Sequence, residues 1–407
     1  MANRNNKLKA FIIAGIVLIL VLTLALAVPA LKKSGGKGKT DTSSRQAGQT
    51  SQTETAPSES DDPLAVLFCA SDYQIEKEWG TPAENLSAII HSAVSAGKIP
   101  DGVILCGDYT NDRNLHDYQL SPDESIAEIR EIVSSQIPDW SADDPAVFVQ
   151  GNHDAMTDSI TESGLHEYDD YLVYVINTQN DFPWKQGKTS GCLRKVREAS
   201  AKLDECFAEL VKKGEKRPVI IAGHVPLHFT ARTSTKHKTG DNLYASLMFN
   251  AVNKYGKDLN IVYLYGHNHS KGWDCYLGGS SVYMAPGSRI LIPKLTETQI
   301  SSDKYTAETL QFTYMNAGYT GYYMNCGPAQ LDDGTWRDYE SADSTLTGTV
   351  IEIYTDRIEM SRWDAEGMHD LGSDGAKNPY KGGIDLSLIS PSEYKTRVTS
   401  PQSVERY

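Results

Sequence analysis

Four short apolar runs in this chain stop on a glycine and then present side chains suited to holding a metal ion. They are GVILCG at 102–107, AVFVQG at 146–151, PVIIAG at 218–223 and NIVYLYG at 260–266. Directly after these glycines stand Asp108, then Asn152 with His153, then His224, then His267 with His269. Each run has the length of a strand. A terminal glycine permits positive φ and close backbone approach, which turns the next side chain into a crevice at the carboxyl end of a sheet. An earlier run, LAVLFCAS at 64–71, ends without glycine but also abruptly, at Asp72 and Gln74, two polar positions on one side of an extended chain.

Between the runs lie amphipathic segments. In TPAENLSAIIHSAVSAG, Thr81 is placed to cap, Pro82 to occupy the first helical position and Glu84 to complete a capping box, while Leu86, Ile89, Ile90, Ala93 and Val94 share a helical face. SPDESIAEIREIV at 121–133 repeats this grammar, and TGTVIEIYT followed by RIEMSRW reads as a hairpin. Strands alternating with helices, without a sequence repeat, define an α/β architecture.

The chain ahead of this pattern is of another kind. Residues 1–10 form a basic flank with Arg4, Lys7 and Lys9, and residues 11–30 contain FIIAGIVLILVLTLALAV, eighteen residues without a charge. That length is at the lower limit for a hydrocarbon layer of about 30 Å and exceeds the usual signal-peptide core. It is read as an uncleaved transmembrane anchor with the folded domain outside the cytoplasm. Cleavage after Ala27 or Ala30, giving a secreted chain, is the rival reading. Lys32, Lys33, Lys37 and Lys39 come next, so basic residues flank both sides and do not set the orientation. Residues 31–62 are rich in Gly, Ser, Thr, Gln and Lys, a composition expected of a disordered linker. The folded domain is expected over 63–390, with its motif core at 64–290 and a tail at 391–407.

Residues 1–40 hold seven Lys or Arg and no acid, so the remaining 367 carry 32 basic against 53 acidic residues, a balance of −21. Such a domain repels a nucleic-acid backbone, and no nucleic-acid partner is expected. The six cysteines are too scattered for a zinc ribbon. Cys69 and Cys106 sit in apolar strands and read as core, whereas Cys192, Cys206, Cys275 and Cys326 remain open to pairing.

Four of the ten histidines fall at the strand ends, which a random scatter of structural histidines does not explain. Asp72, Asp108, Asn152, His224, His267 and His269 make six candidate ligands, enough for two ions about 3.5–4 Å apart that share one carboxylate. His267 and His269 stand at i and i+2, on one side of an extended segment, so each is placed to serve a different ion.

The ordered set of a first-strand Asp, GDxxN, GNHD, GH and GHxH resembles the calcineurin-like metallophosphoesterase superfamily over roughly residues 64–290. The resemblance implies a four-layer α/β/β/α sandwich with a dinuclear centre at one edge of its two sheets. It implies that Asp72, Asp108 and His269 hold one ion and Asp108, Asn152, His224 and His267 the other, with Asp108 as the bridge. Two divalent cations, manganese, iron or zinc, would lower the pKa of a bound water that attacks phosphorus in line, and His153 would protonate the leaving oxygen. Asp154 either orients His153 or caps the next segment, and His228 is a candidate contact to a phosphate oxygen.

One position departs from the family pattern. Where members usually carry Asp-x-His, this chain has Asp72-Tyr73-Gln74. Gln74 either ligates weakly through its carbonyl, favouring a harder ion such as manganese, or supports the centre by hydrogen bonding. The expected activity is hydrolysis of a small phosphomonoester or phosphodiester; a non-catalytic metal- or phosphate-binding module with a degenerate first site is the alternative. Tyr305, Tyr314, Tyr319, Tyr322 and Tyr323 either pack on the domain or wall a substrate cleft.

Overall fold

The computed structural model describes residues 62–74, 81–111, 120–183, 190–227, 244–267, 283–284, 286–287, 289–293, 305–321, 329–330, 336–337, 346–368 and 384–387. The chain divides into two units, Met1–Ser58 and Glu59–Tyr407, and every described residue belongs to the second. The expected anchor at 11–30, the linker but for its last residue, His228, His269 and the tail at 391–407 lie outside the described residues. Among the described residues no helix is long and apolar enough to cross a membrane.

The strands begin with β1 (Ala65–Ala70), β2 (Gly102–Leu105), β3 (Ala146–Phe148), β4 (Gly164–Glu167), β5 (Leu172–Ile176), β6 (Val219–Gly223) and β7 (Ile261–Tyr265). Then come β8 (Tyr283–Met284), β9 (Arg289–Pro293), β10 (Tyr305–Thr309), β11 (Thr313–Asn316), β12 (Gly318–Tyr319), β13 (Ala329–Gln330) and β14 (Trp336–Arg337). The series closes with β15 (Thr347–Ile353), β16 (Arg357–Asp364), β17 (Gly367–Met368) and β18 (Ile384–Ser387). Four helices accompany them: α1 (Thr81–Ser95), α2 (Pro122–Gln136), α3 (Ser190–Lys213) and α4 (Ala245–Asn253).

Two mixed sheets carry the fold. The first runs β17-β16-β15-β1-β2-β3, with β12 added on β15 and β18 on β16; the second runs β4-β5-β6-β7-β11-β8. Within the first, β1, β2 and β3 are parallel, with Ala70 opposite Leu105 and Leu105 opposite Phe148. Within the second, β5, β6 and β7 are parallel, with Ile176 opposite Gly223 and Ala222 opposite Leu264. Crossovers through α1 and α2 therefore return the carboxyl ends of β1, β2 and β3 to one edge. The hairpin expected near the end is β15–β16, paired antiparallel from Gly348–Trp363 to Ile353–Ile358.

The continuous apolar character of the runs results from burial on both faces. In β1, Leu67 and Cys69 point into one core while Val66, Phe68 and Ala70 point into another. In β6, Ile220 and Ala222 share the first of these cores, whereas Val219 and Ile221 enter a third. One core thus lies between the two sheets. A second packs the first sheet under Leu86, Ile89 and Ile90 of α1 and Ile126, Ile129 and Val133 of α2. The third packs the second sheet under Val196, Leu203 and Phe207 of α3 and Met248, Phe249 and Val252 of α4. The layers run helices, sheet, sheet, helices.

Local signals hold where side chains are described. Ser121 Oγ accepts from the Glu124 N–H at 3.2 Å and Glu124 Oε2 accepts from the Ser121 N–H at 2.7 Å, a complete capping box at the start of α2. Cys69 and Cys106 are buried core thiols, and burial pushes both well above the ordinary thiol range. Cys192 and Cys206, two of the four left open to pairing, lie half-buried on α3. Tyr314 and Tyr319 are fully buried, so neither walls a cleft; Tyr314 stacks on Tyr265 at 4.5 Å and its hydroxyl accepts from the Leu227 N–H at 2.8 Å.

Phe207 is buried edge-on against Tyr174 at 5.7 Å and Tyr255 at 5.9 Å, and joins α3 to the second sheet. Phe207→Ala is expected to cost about 3–5 kcal/mol in denaturant unfolding.

Candidate metal centre

The strand ends converge because their backbones take a conformation that side chains normally avoid. Asp72 (φ 55°), Gln74 (φ 45°), Asp108 (φ 59°) and His267 (φ 68°) all lie in the left-handed region; among the described non-glycine residues only Asp139 shares it elsewhere. Hydrogen bonds between neighbouring turns hold them there. The Asp72 N–H donates to the Gly107 carbonyl and the Gln74 N–H to the Asp108 carbonyl, each at 2.9 Å. Gly151 is required by proximity: a Cβ there would stand 2.1 Å from both the N and the Oδ1 of Asp108.

His224 connects the two sheets. Its Nδ1 faces the Cys106 carbonyl at 2.7 Å, the carbonyl that also accepts from Ser71 Oγ at 3.1 Å. A proton kept on Nδ1 by that carbonyl makes Nε2 the ring nitrogen that offers its lone pair once it is deprotonated. Nε2 then lies 3.0 Å from Asn152 Oδ1 and 3.2 Å from Asp108 Oδ2. His267 completes the cluster, its ring 5.3 Å from that of His224 and its N–H donating to Asp72 Oδ2 at 3.0 Å. Ligating atoms of Asp108, His224 and His267 lie within 4.8 Å of one another, and all three residues are buried.

Three atoms bearing lone pairs meeting around one point require a proton or a cation between them. The mixture of carboxylate oxygen, amide oxygen and imidazole nitrogen suits a borderline divalent ion. Burial opposes charge on both partners, yet His224 and His153 hold the Asp108 carboxyl well below its usual range. Burial likewise works against a charged His224 ring, but Asp108, then Asp72 and the Cys106 carbonyl, raise it to about 9.

Gln74 and Asp154 both hydrogen-bond to Asp108. Gln74 is buried with its Nε2 donating to Asp108 Oδ2 at 3.4 Å. Asp154 neither orients the His153 imidazole nor caps the next segment. Its carboxylate accepts from four backbone N–H groups: Asp108 and Gly151 at 2.8 Å on Oδ2, Tyr109 at 2.8 Å and Thr110 at 3.2 Å on Oδ1. Burial and the Asp108 charge push this carboxyl up to about 7, against the N–H groups that favour the anion. His153 is half-buried, its N–H donating to Asp108 Oδ1 at 2.8 Å and its carbonyl accepting from Thr110 Oγ1 at 2.9 Å.

The sequence reading missed one strand end. After β5, the Thr178 Oγ1 donates to the Gln150 carbonyl at 2.7 Å, and Asn177 Oδ1 accepts from the Gln150 N–H at 2.8 Å. Gln150 and Gln179 both donate through Nε2 to the Asp154 carbonyl, at 3.2 and 3.0 Å. The signal was present in YLVYVINTQ, an apolar run stopped by polar residues as in LFCASDYQ.

A buried site with these donors, at the shared edge of two mixed sheets flanked by helices, defines a metal-binding α/β protein. Residues 71–271 match the family model described as calcineurin-like phosphoesterase. Residues 71–271 thus belong to the calcineurin-like phosphoesterase family, which supports a metal-dependent phosphoric ester hydrolase. No curated protein matches the chain. Similar solved structures include a dimetal phosphatase from Danio rerio, 11% identical, covering 76% of this chain and 98% of that one with a TM-score of 0.42. Another is a conserved uncharacterized protein, a predicted phosphoesterase, from Streptococcus pneumoniae, 12% identical, covering 79% and 97% with a TM-score of 0.27.

Below a pH of about 9 the metal-free His224 ring carries a proton that an entering ion must expel. Affinity for manganese is therefore expected to rise with pH and level off near 9. Titration calorimetry in buffers of different ionisation enthalpy should register the released proton.

Proposed function

We propose that this chain is a dinuclear-metal phosphoesterase that cleaves a small phosphomonoester or phosphodiester. The observation that carries the reading is the meeting of Asp108 Oδ2, Asn152 Oδ1 and His224 Nε2 from turns of both sheets. Asp108, Asn152, His224 and His267 are assigned to one ion. Asp72, Asp108 and His269 are assigned to the other, with Gln74 supporting the Asp108 carboxylate. When bound, the ions supply charge stabilisation at the phosphoryl oxygens and a nucleophile at neutral pH.

The chain's own groups do the rest. His224 is held in one tautomer by the Cys106 carbonyl, so its Nε2 is aimed before any ion arrives. Asp108 commits Oδ1 to the His153 N–H, which leaves Oδ2 toward the ligand cluster. His153, which is half-buried, is assigned as the acid that protonates the leaving oxygen, and His228 as a contact to a phosphate oxygen. The folded domain is assigned to 63–390. Residues 11–30 are assigned as a membrane anchor that leaves this domain outside the cytoplasm; their uncharged eighteen-residue run supports the assignment.

The full chain with added manganese is expected to hydrolyse p-nitrophenyl phosphate or its bis-ester and to bind two ions. Lack of turnover with manganese, zinc and iron alike would remove the enzymatic reading, and one ion or none would favour the binding module. His153→Ala should lower kcat by about 10²- to 10⁴-fold while metal stoichiometry stays at the wild-type value. For the anchor, the protein should stay in the membrane fraction through alkaline carbonate extraction; recovery in the supernatant with a new N-terminus near Ala27 or Ala30 would show cleavage instead.

A further inference from the structure

We propose that Asp154 is a positioning residue that locks the shared metal ligand Asp108 and the leaving-group acid His153 into one rigid unit; this rests on the function proposed above. The two turns exchange carboxylates. Asp154, from the GNHD turn, gathers the N–H groups of Asp108, Tyr109 and Thr110 from the GDYT turn, together with that of Gly151. Asp108, from the GDYT turn, returns its Oδ1 to the N–H of His153, and Thr110 Oγ1 adds a bond to the His153 carbonyl. Both carboxylates are fully buried, so water replaces none of these bonds.

Residue type is decided by acceptor capacity. Four donors converge on two oxygens, and an ionised carboxylate offers about four lone-pair sites with no donor of its own. In Asp154→Asn one oxygen becomes an NH₂ group facing two N–H groups, an unpaired and repulsive arrangement in a dry site. The left-handed backbone of Asp108 is held through its own N–H by Asp154, so loosening this carboxylate shifts the Asp108 side chain. His153 hangs from Asp108 Oδ1 and moves with it. Ligand and acid are then lost together, although Asp154 touches neither ion nor substrate.

The Gln150 side chain supplies a control, because it supports the same turn through the Asp154 carbonyl and leaves the carboxylate alone. The full chain is titrated with manganese and assayed on p-nitrophenyl and phenyl phosphate. Asp154→Asn is expected to weaken manganese binding by about 10- to 100-fold, as loss of a supporting partner does. Its rate loss should be larger on phenyl phosphate, whose basic leaving group depends on the acid. Gln150→Ala should lower the thermal midpoint while manganese affinity and the ratio of the two rates stay close to wild type. Wild-type affinity and rate ratio in Asp154→Asn, or equal losses in Gln150→Ala, would overturn the proposal. Absence of manganese binding or turnover in the wild type would instead count against the proposed function. The clamp has its own readout in the metal-free wild type, where hydrogen exchange at Asp108, Tyr109, Thr110 and Gly151 should be slow; fast exchange at these amides overturns the proposal even if Asp154→Asn does not fold.

Discussion

The hydrogen bond between His224 Nδ1 and the Cys106 carbonyl, 2.7 Å long, joins the carboxyl end of β6 to that of β2. Two sheets packed over an apolar core are free to slide by a fraction of a residue, since dispersion and burial are weakly directional. A buried bond between a ring nitrogen and a carbonyl is not. It sets the offset of one sheet against the other at the edge where the polar residues collect. It also selects the tautomer that leaves Nε2 facing Asp108 and Asn152.

Further bonds of the same kind reinforce that edge. The His267 N–H donates to Asp72 across the sheets, and the turn after β5 holds Gln150 at the end of β3. Away from the centre, Arg362 of β16 is fully buried and donates from Nη2 to the Asn316 carbonyl of β11 at 2.6 Å, again linking first sheet to second. The chemistry and the packing are therefore not separable here. The side chains that would hold ions are also those that fix the sheets, and four of them or their neighbours sit in left-handed backbone that only such a network sustains.

Much of this was legible in the linear chain because burial on two faces leaves a plain mark. A strand covered on both sides has to be apolar at every position, so β1, β2, β6 and β7 stand out as unbroken runs, and the polar residues after them mark where burial gives way to a site. The capping box of α2 and the β15–β16 hairpin were likewise written in local chemistry. Less visible were β5 and α3. The LVYVI run of β5 has no glycine at its end, and α3 spaces Val196, Leu203, Phe207 and Leu210 among many charges, which is easily read as polar surface.

By itself the sequence determined the α/β class, the order of the motifs and the residue types gathered at the strand ends, since hydrophobic periodicity and turn chemistry act between near neighbours. Partnership across distance was decided only by the tertiary structure. Asp154 comes directly after His153, yet its carboxylate belongs to the backbone of residues 108–110, more than forty positions earlier, because two parallel strands bring those turns side by side. Tyr314 and Tyr319, polar-tipped and set among glycines, looked fit for a surface, but the pairing of β11 with β7 and of β12 with β15 buries them. A side chain's type limits the bonds it is able to form; which partner comes within 3 Å is fixed by how the sheets pair and stack.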